Sequence, residues 1–101
     1  MYYLLMPSSY SKDLANILQM LRNIEEDLNL INYSETEKKI YYTIACKNSE
    51  NFTCRISDVI YESGYSRSTV YKTIKKFEEA DLIKMQQSSV DKREINLVLG
   101  H

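Results

Sequence analysis

The chain has 101 residues, 44% of them hydrophobic and 27% charged, with a formal net charge of −1. That is enough for one hydrophobic core and not for two, and one Pro and two Gly among many Ile, Leu and Tyr exclude a disordered chain. Two cysteines and one histidine exclude a zinc site within one chain, and the near-neutral balance excludes nucleic-acid binding by bulk charge alone.

Met1 to Met6 is apolar but far too short for a membrane span, and no basic flank or cleavage site follows it. The cytoplasm is therefore the expected compartment. Pro7-Ser8-Ser9 marks a turn, and Ser11 is a candidate cap for the helix that follows. From there the apolar residues fall at Tyr10, Leu14, Ile17, Leu21, Ile24, Leu28 and Ile31, with Leu18 and Met20 broadening the row. Alternating steps of four and three make a heptad seam. A helix of roughly 20 residues reaches about 30 Å, and its other face (Asn16, Gln19, Asn23, Glu26) is polar. The pattern predicts a coiled-coil pairing with a second copy in preference to packing on the chain's own core.

Asn32-Tyr33-Ser34 breaks the pattern and divides the chain into residues 1–33, a tail and dimerisation helix, and residues 34–101. Ser34 and Glu37 have the spacing of a capping box. The helix they open turns Ile40, Tyr41, Ile44 and Ala45 inward and is expected to end at the polar run Lys47 to Asn51. Phe52-Thr53-Cys54 is a short strand candidate. Ile56, Val59 and Ile60 then set a short helix up to Ser63, closed by Gly64. Tyr33, Tyr41 and Phe52 read as core.

Ser66 caps the next helix, which runs to about Ala80. Val70, Ile74 and Phe77 share one face; Ser68, Lys72, Lys75 and Lys76 share the opposite one, with Thr69 and Tyr71 on the flanks. Residues 65–77 hold one Arg, three Lys and no acid, a local charge of +4. This pattern predicts a DNA-recognition helix. Arg67 suits a guanine edge, and Ser68, Thr69, Tyr71 and Lys72 suit groove contacts. Lys75, Lys76 and Lys84 suit phosphates, as do the free amides at Ser66. The blander readings are a solvated face, pairing of Lys75 and Lys76 with Glu78 and Glu79, a Tyr71 that is partly core, and an Arg93 that is merely a partner of Asp91. Ile83–Gln87 and Glu94–Leu99 are strand candidates joined by the polar tip Ser88 to Arg93, which carries Lys92 and Arg93. The expected fold is mainly α with a small β-hairpin wing: a winged helix-turn-helix preceded by a long helix. Cys46 and Cys54 read as unremarkable thiols, with a redox switch or a structural disulfide as the sharper alternative. The sequence shows no catalytic constellation, metal-ligand set, phosphate loop or cofactor motif, so no enzyme activity is expected.

Three stretches resemble the multiple-antibiotic-resistance-regulator (MarR) family. Arg55 to Val70 is similar to its helix-turn-helix, Ile74 to Ile83 to the end of its recognition helix, and Asp91-Lys92-Arg93 with Ile95, Leu97 and Leu99 to its wing. The likeness covers roughly two thirds of the chain; its first two stretches are shared by many winged-helix groups. It implies a homodimeric transcription regulator, a repressor of pseudo-palindromic duplex DNA. Arg67, Ser68, Thr69, Tyr71 and Lys72 would lie on the DNA, with Arg93 at the wing oriented by Asp91. Family members usually continue into C-terminal helices, whereas this chain stops at Leu99-Gly100-His101. That departure places dimerisation on residues 10–32 and argues against a small-molecule effector pocket. Short regulators of this size are frequent in archaea and their viruses and plasmids. The alternative function is a winged-helix protein–protein interaction module in a transcription, replication or segregation assembly.

Overall fold

Ser34 begins the part of the chain that carries the wing, and its cap forms as expected. In the computed structural model, which describes residues 8–50, 53–88, 91 and 93–100, the Glu37 backbone N–H donates to Ser34 Oγ at 3.1 Å. The Ser34 N–H donates in return to Glu37 Oε1 at 2.9 Å. Each side chain satisfies an amide that the first helical turn leaves free. The chain divides into two units, Met1–Tyr33 and Ser34–His101.

In the first unit, helix α1 covers Ser8–Asp27. Ser11 lies inside it and caps nothing; of the expected turn Pro7-Ser8-Ser9, Ser8 and Ser9 are helical and Pro7 falls outside the described residues. The α-helix also stops short of the seam's end. Asn29 adopts the left-handed conformation at φ 60 and a single 3-10 turn follows over Leu30–Asn32. Asn tolerates that conformation better than most residues, and Asn32 Nδ2 donates to Asn29 Oδ1 at 2.9 Å across the turn. Leu28 and Ile31 are therefore off the helix, which carries the seam from Tyr10 to Ile24 only. Tyr10, Leu14, Ile17 and Ile24 are each exposed by half or more. Tyr33, expected in a core, is half-buried.

In the second unit, α2 (Glu35–Ser49), α3 (Ile56–Ser63) and α4 (Arg67–Glu79) precede the hairpin of β1 (Ile83–Gln87) and β2 (Ile95–Leu99). Helix α2 turns Ile40, Tyr41 and Ile44 inward, as the periodicity predicts. It does not end at the polar run. Lys47, Asn48 and Ser49 belong to its last turn: Ser49 Oγ donates to the Cys46 carbonyl one turn back at 2.9 Å, and Lys47 and Asn48 have partners on other elements. Lys47 Nζ meets Glu62 at 2.6 Å on α3. Asn48 Nδ2 donates to the Leu97 carbonyl at 3.1 Å, and its Oδ1 accepts from the Leu99 N–H at 2.9 Å.

The strand expected at Phe52-Thr53-Cys54 reduces to one antiparallel bridge, Arg55 to Asn96, with the Leu97 N–H donating to the Cys54 carbonyl at 2.7 Å. Phe52 lies outside the described residues. The Asn48 amide takes the next position along β2, so a longer third strand has no free edge to join. Gly64 at φ 76 ends α3. The hairpin is antiparallel, pairing Ile83 with Leu99, Met85 with Leu97 and Gln87 with Ile95; β2 starts one residue later than expected. Gly100 closes it by donating to the Leu82 carbonyl at 2.8 Å, where a Cβ would collide with the Asp81 carbonyl. Ile40, Ile44, Val59, Val70, Ile74, Phe77, Ile83 and Leu97 form one buried core. Tyr41 and Phe77 meet edge to face at 5.6 Å within it. Three helices and a hairpin in this order make a winged helix-turn-helix.

Candidate nucleic-acid interface

Helix α4 is held by one side and open on the other. Val70, Ile74 and Phe77 are fully buried, and Thr73 nearly so. Arg67, Ser68, Tyr71, Lys72, Lys75 and Lys76 are exposed. Ser66 sets the helix start: its Oγ accepts from the Thr69 N–H at 3.3 Å and donates to Thr69 Oγ1 at 2.9 Å. Ser68 Oγ lies 3.3 Å from Ser66 Oγ. Of the predicted contacts, Ser66 and Thr69 are thus tied into the cap, and Thr69 is half-buried. The Arg67 guanidinium stands 6.0 Å over the Tyr71 ring, a cation–π contact that steadies both side chains on the exposed side. Tyr71 is 46% exposed, so it is not core.

The lysines divide. Lys72 and Lys75 are exposed and form no ion pair with another described residue. Lys76 meets Glu37 Oε2 at 2.8 Å on α2. Glu37, fixed by the Ser34 cap, stands within reach of α4. The Lys76 contact, followed by the Ser34 amide, holds the Glu37 carboxyl below its ordinary range. Lys84 is exposed on β1.

At the wing, Asp91 Oδ1 accepts from the Arg93 N–H at 2.9 Å and faces Arg93 Nε at 3.4 Å. The Arg93 side chain is nonetheless 92% exposed. Lys92 lies outside the described residues. Between α4 and the wing is a cleft of about 240 Å³, lined among others by Arg55, Ser57, Arg67, Tyr71, Arg93 and Glu94. Arg55 is the residue that sequence reasoning missed. Asp58 accepts from the Arg55 N–H at 3.0 Å, the returning half of a capping box; an arginine side chain has no acceptor for the other half. Arg55 Nη1 meets Glu94 Oε1 at 3.1 Å. The spacing of Arg55 and Asp58 was readable as a local pair, but not the approach of Glu94. On the other side of α4 a hollow of about 390 Å³ is lined by Ser34, Thr36, Thr69, Lys72 and Lys76 with Glu37.

Cys46 is exposed and Cys54 buried, and both are free thiols. Burial pushes the Cys54 thiol up to about 11, which keeps it protonated and unreactive at neutral pH. Among the described residues no group of His, Cys, Asp and Glu could hold a metal ion. No helix there is long and apolar enough to cross a membrane.

No protein-family model and no curated protein matches the sequence. Solved structures do match. The adhesin competence repressor AdcR from Streptococcus pyogenes is similar at 19% identity and a TM-score of 0.57, over 89% of this chain and 61% of that one. MepR from S. aureus, solved as a complex with DNA, is similar at 16% identity and a TM-score of 0.55, over 92% of this chain and 71% of that one. A MarR-like transcriptional regulator from Thermotoga maritima is similar at 15% identity and a TM-score of 0.59, over 84% of this chain and 63% of that one. The chain spans between about three fifths and two thirds of the length of several of these structures, 61% for AdcR and 63% for the Thermotoga regulator. At such identities the likeness is one of fold: the chain has the winged-helix architecture of MarR-like transcription regulators.

Proposed function

We propose that this chain is a homodimeric, sequence-specific regulator of transcription that binds double-stranded DNA and represses by occupying it. The observation that carries the reading is the division of α4. One side is sealed into the core, while the other displays Arg67, Ser68, Tyr71, Lys72 and Lys75, with Arg93 exposed at the wing. A helix 10–12 Å across fits the major groove, which is about 12 Å wide. Lys75 supplies a phosphate contact, and Arg67 and Lys72 supply base-edge donors. Solution of the similar MepR fold together with DNA supports the same assignment.

The dimer is proposed on α1, whose Tyr10, Leu14, Ile17, Leu21 and Ile24 stand exposed in one helical row. Leu28 and Ile31 then serve only as flanking contacts. A two-fold pair presents two copies of α4, which calls for a pseudo-palindrome with half-sites roughly 34 Å apart.

Selection of bound duplexes from a random pool tests this reading. Enrichment of a pseudo-palindrome is expected. A pool that stays random through successive rounds contradicts it and returns the chain to the protein-interaction alternative.

A further inference from the structure

We propose that Arg55 is a phosphate-gripping residue of the duplex interface and that Glu94 is the carboxylate it exchanges for the phosphate. The inference rests on the duplex-binding reading above and adds a residue outside both α4 and the wing tip.

Arg55 precedes α3, yet it lines the cleft between α4 and the wing together with Arg67 and Arg93. With α4 seated in a major groove hardly wider than itself, one strand's backbone runs along the wing side of the helix. That path crosses the cleft. Three arginines converge there, and arginine's planar fork suits phosphate oxygens. In the free chain two of these guanidiniums face carboxylates: Arg55 faces Glu94 at 3.1 Å and Asp58 at 3.7 Å, and Arg93 faces Asp91 at 3.4 Å.

The Arg55 side chain is 48% exposed and that of Glu94 39%. An ion pair this open contributes little to stability, so exchanging the carboxylate for a phosphate costs little and releases a DNA counterion. The backbone of Arg55 is meanwhile anchored by its bridge to Asn96 and by Asp58. The side chain can therefore change partners without moving its base, and one guanidinium has five N–H donors to share.

The test is the salt dependence of affinity, measured with the full chain on a selected duplex and on a random one. Arg55→Ala is expected to weaken both alike, by about tenfold at low salt, and to reduce the slope of log K against log salt by about 0.9. Arg55→Lys is expected to keep the slope. Glu94→Gln removes a negative charge beside the phosphate and is expected to bind roughly threefold tighter. A role in merely holding the wing predicts the opposite for Glu94→Gln, since that change breaks the same ion pair. The proposal is overturned if Arg55→Ala leaves the slope unchanged, or if Arg55→Ala and Glu94→Gln weaken binding equally. Failure of the unmodified chain to bind either duplex overturns the duplex reading itself, and this inference with it.

Discussion

Glu37 accepts from the Ser34 amide and from Lys76 at once, joining the start of α2 to the exposed side of α4. Its carboxyl lies below the ordinary carboxylate range, chiefly through Lys76 and then through the Ser34 amide. A depressed folded value means that the stabilisation is present above the unfolded value and lost as pH falls through the folded one. Glu37→Gln is therefore expected to lower stability by about 1 kcal/mol near pH 7. The gap to the unmodified chain should narrow at acid pH, below the ordinary carboxylate value, as pH falls through the lower folded one. Urea unfolding at neutral and acid pH checks this; a gap that persists in acid contradicts it. The same ion pair places Lys76 differently from Lys72 and Lys75. It is a brace between helices, and any DNA contact from it must compete with Glu37.

An amide on α2 helps to hold the wing to its helices. Asn48 both donates to and accepts from the backbone of β2, where a third strand would otherwise pair. Asn48→Ala removes two part-buried hydrogen bonds and is expected to cost about 2 kcal/mol, with amide exchange at Leu99 accelerating more than exchange in α4. Equal acceleration in both elements would mean that Asn48 serves general stability only. This residue also shows where the sequence stopped being readable. Helix α4 was legible because its cap, its apolar row and its basic side lie within 14 residues of one another, from Ser66 to Glu79. Asn48 read as loop because its partners lie 49 and 51 residues away. Arg55 carries no distinguishing sequence signal because Glu94 is 39 residues away. The end of α1 was misplaced for another reason. The apolar spacing continues through Leu28 and Ile31, while the backbone leaves the helix at Asn29, whose left-handed turn leaves no mark on that spacing.

For the whole molecule the proposed pairing follows from the apolar row of α1. Leu14 is 58% exposed and Ile17 60%, a cost that a second copy would remove by covering them. Ile17→Glu places like charges across a two-fold seam and is expected to convert the dimer to the 11.9 kDa monomer at micromolar concentration, as read by sedimentation. A variant that remains dimeric would move the interface elsewhere. The central claim, that the open side of α4 and the wing tip grip duplex DNA, is tested most directly by measuring affinity across a salt series with Lys72 and Arg93 both changed to Ala. The unmodified chain is expected to bind with a steep salt dependence, and the double variant to lose both the affinity and most of the slope. Binding that survives the double change with its salt dependence intact would contradict the claim.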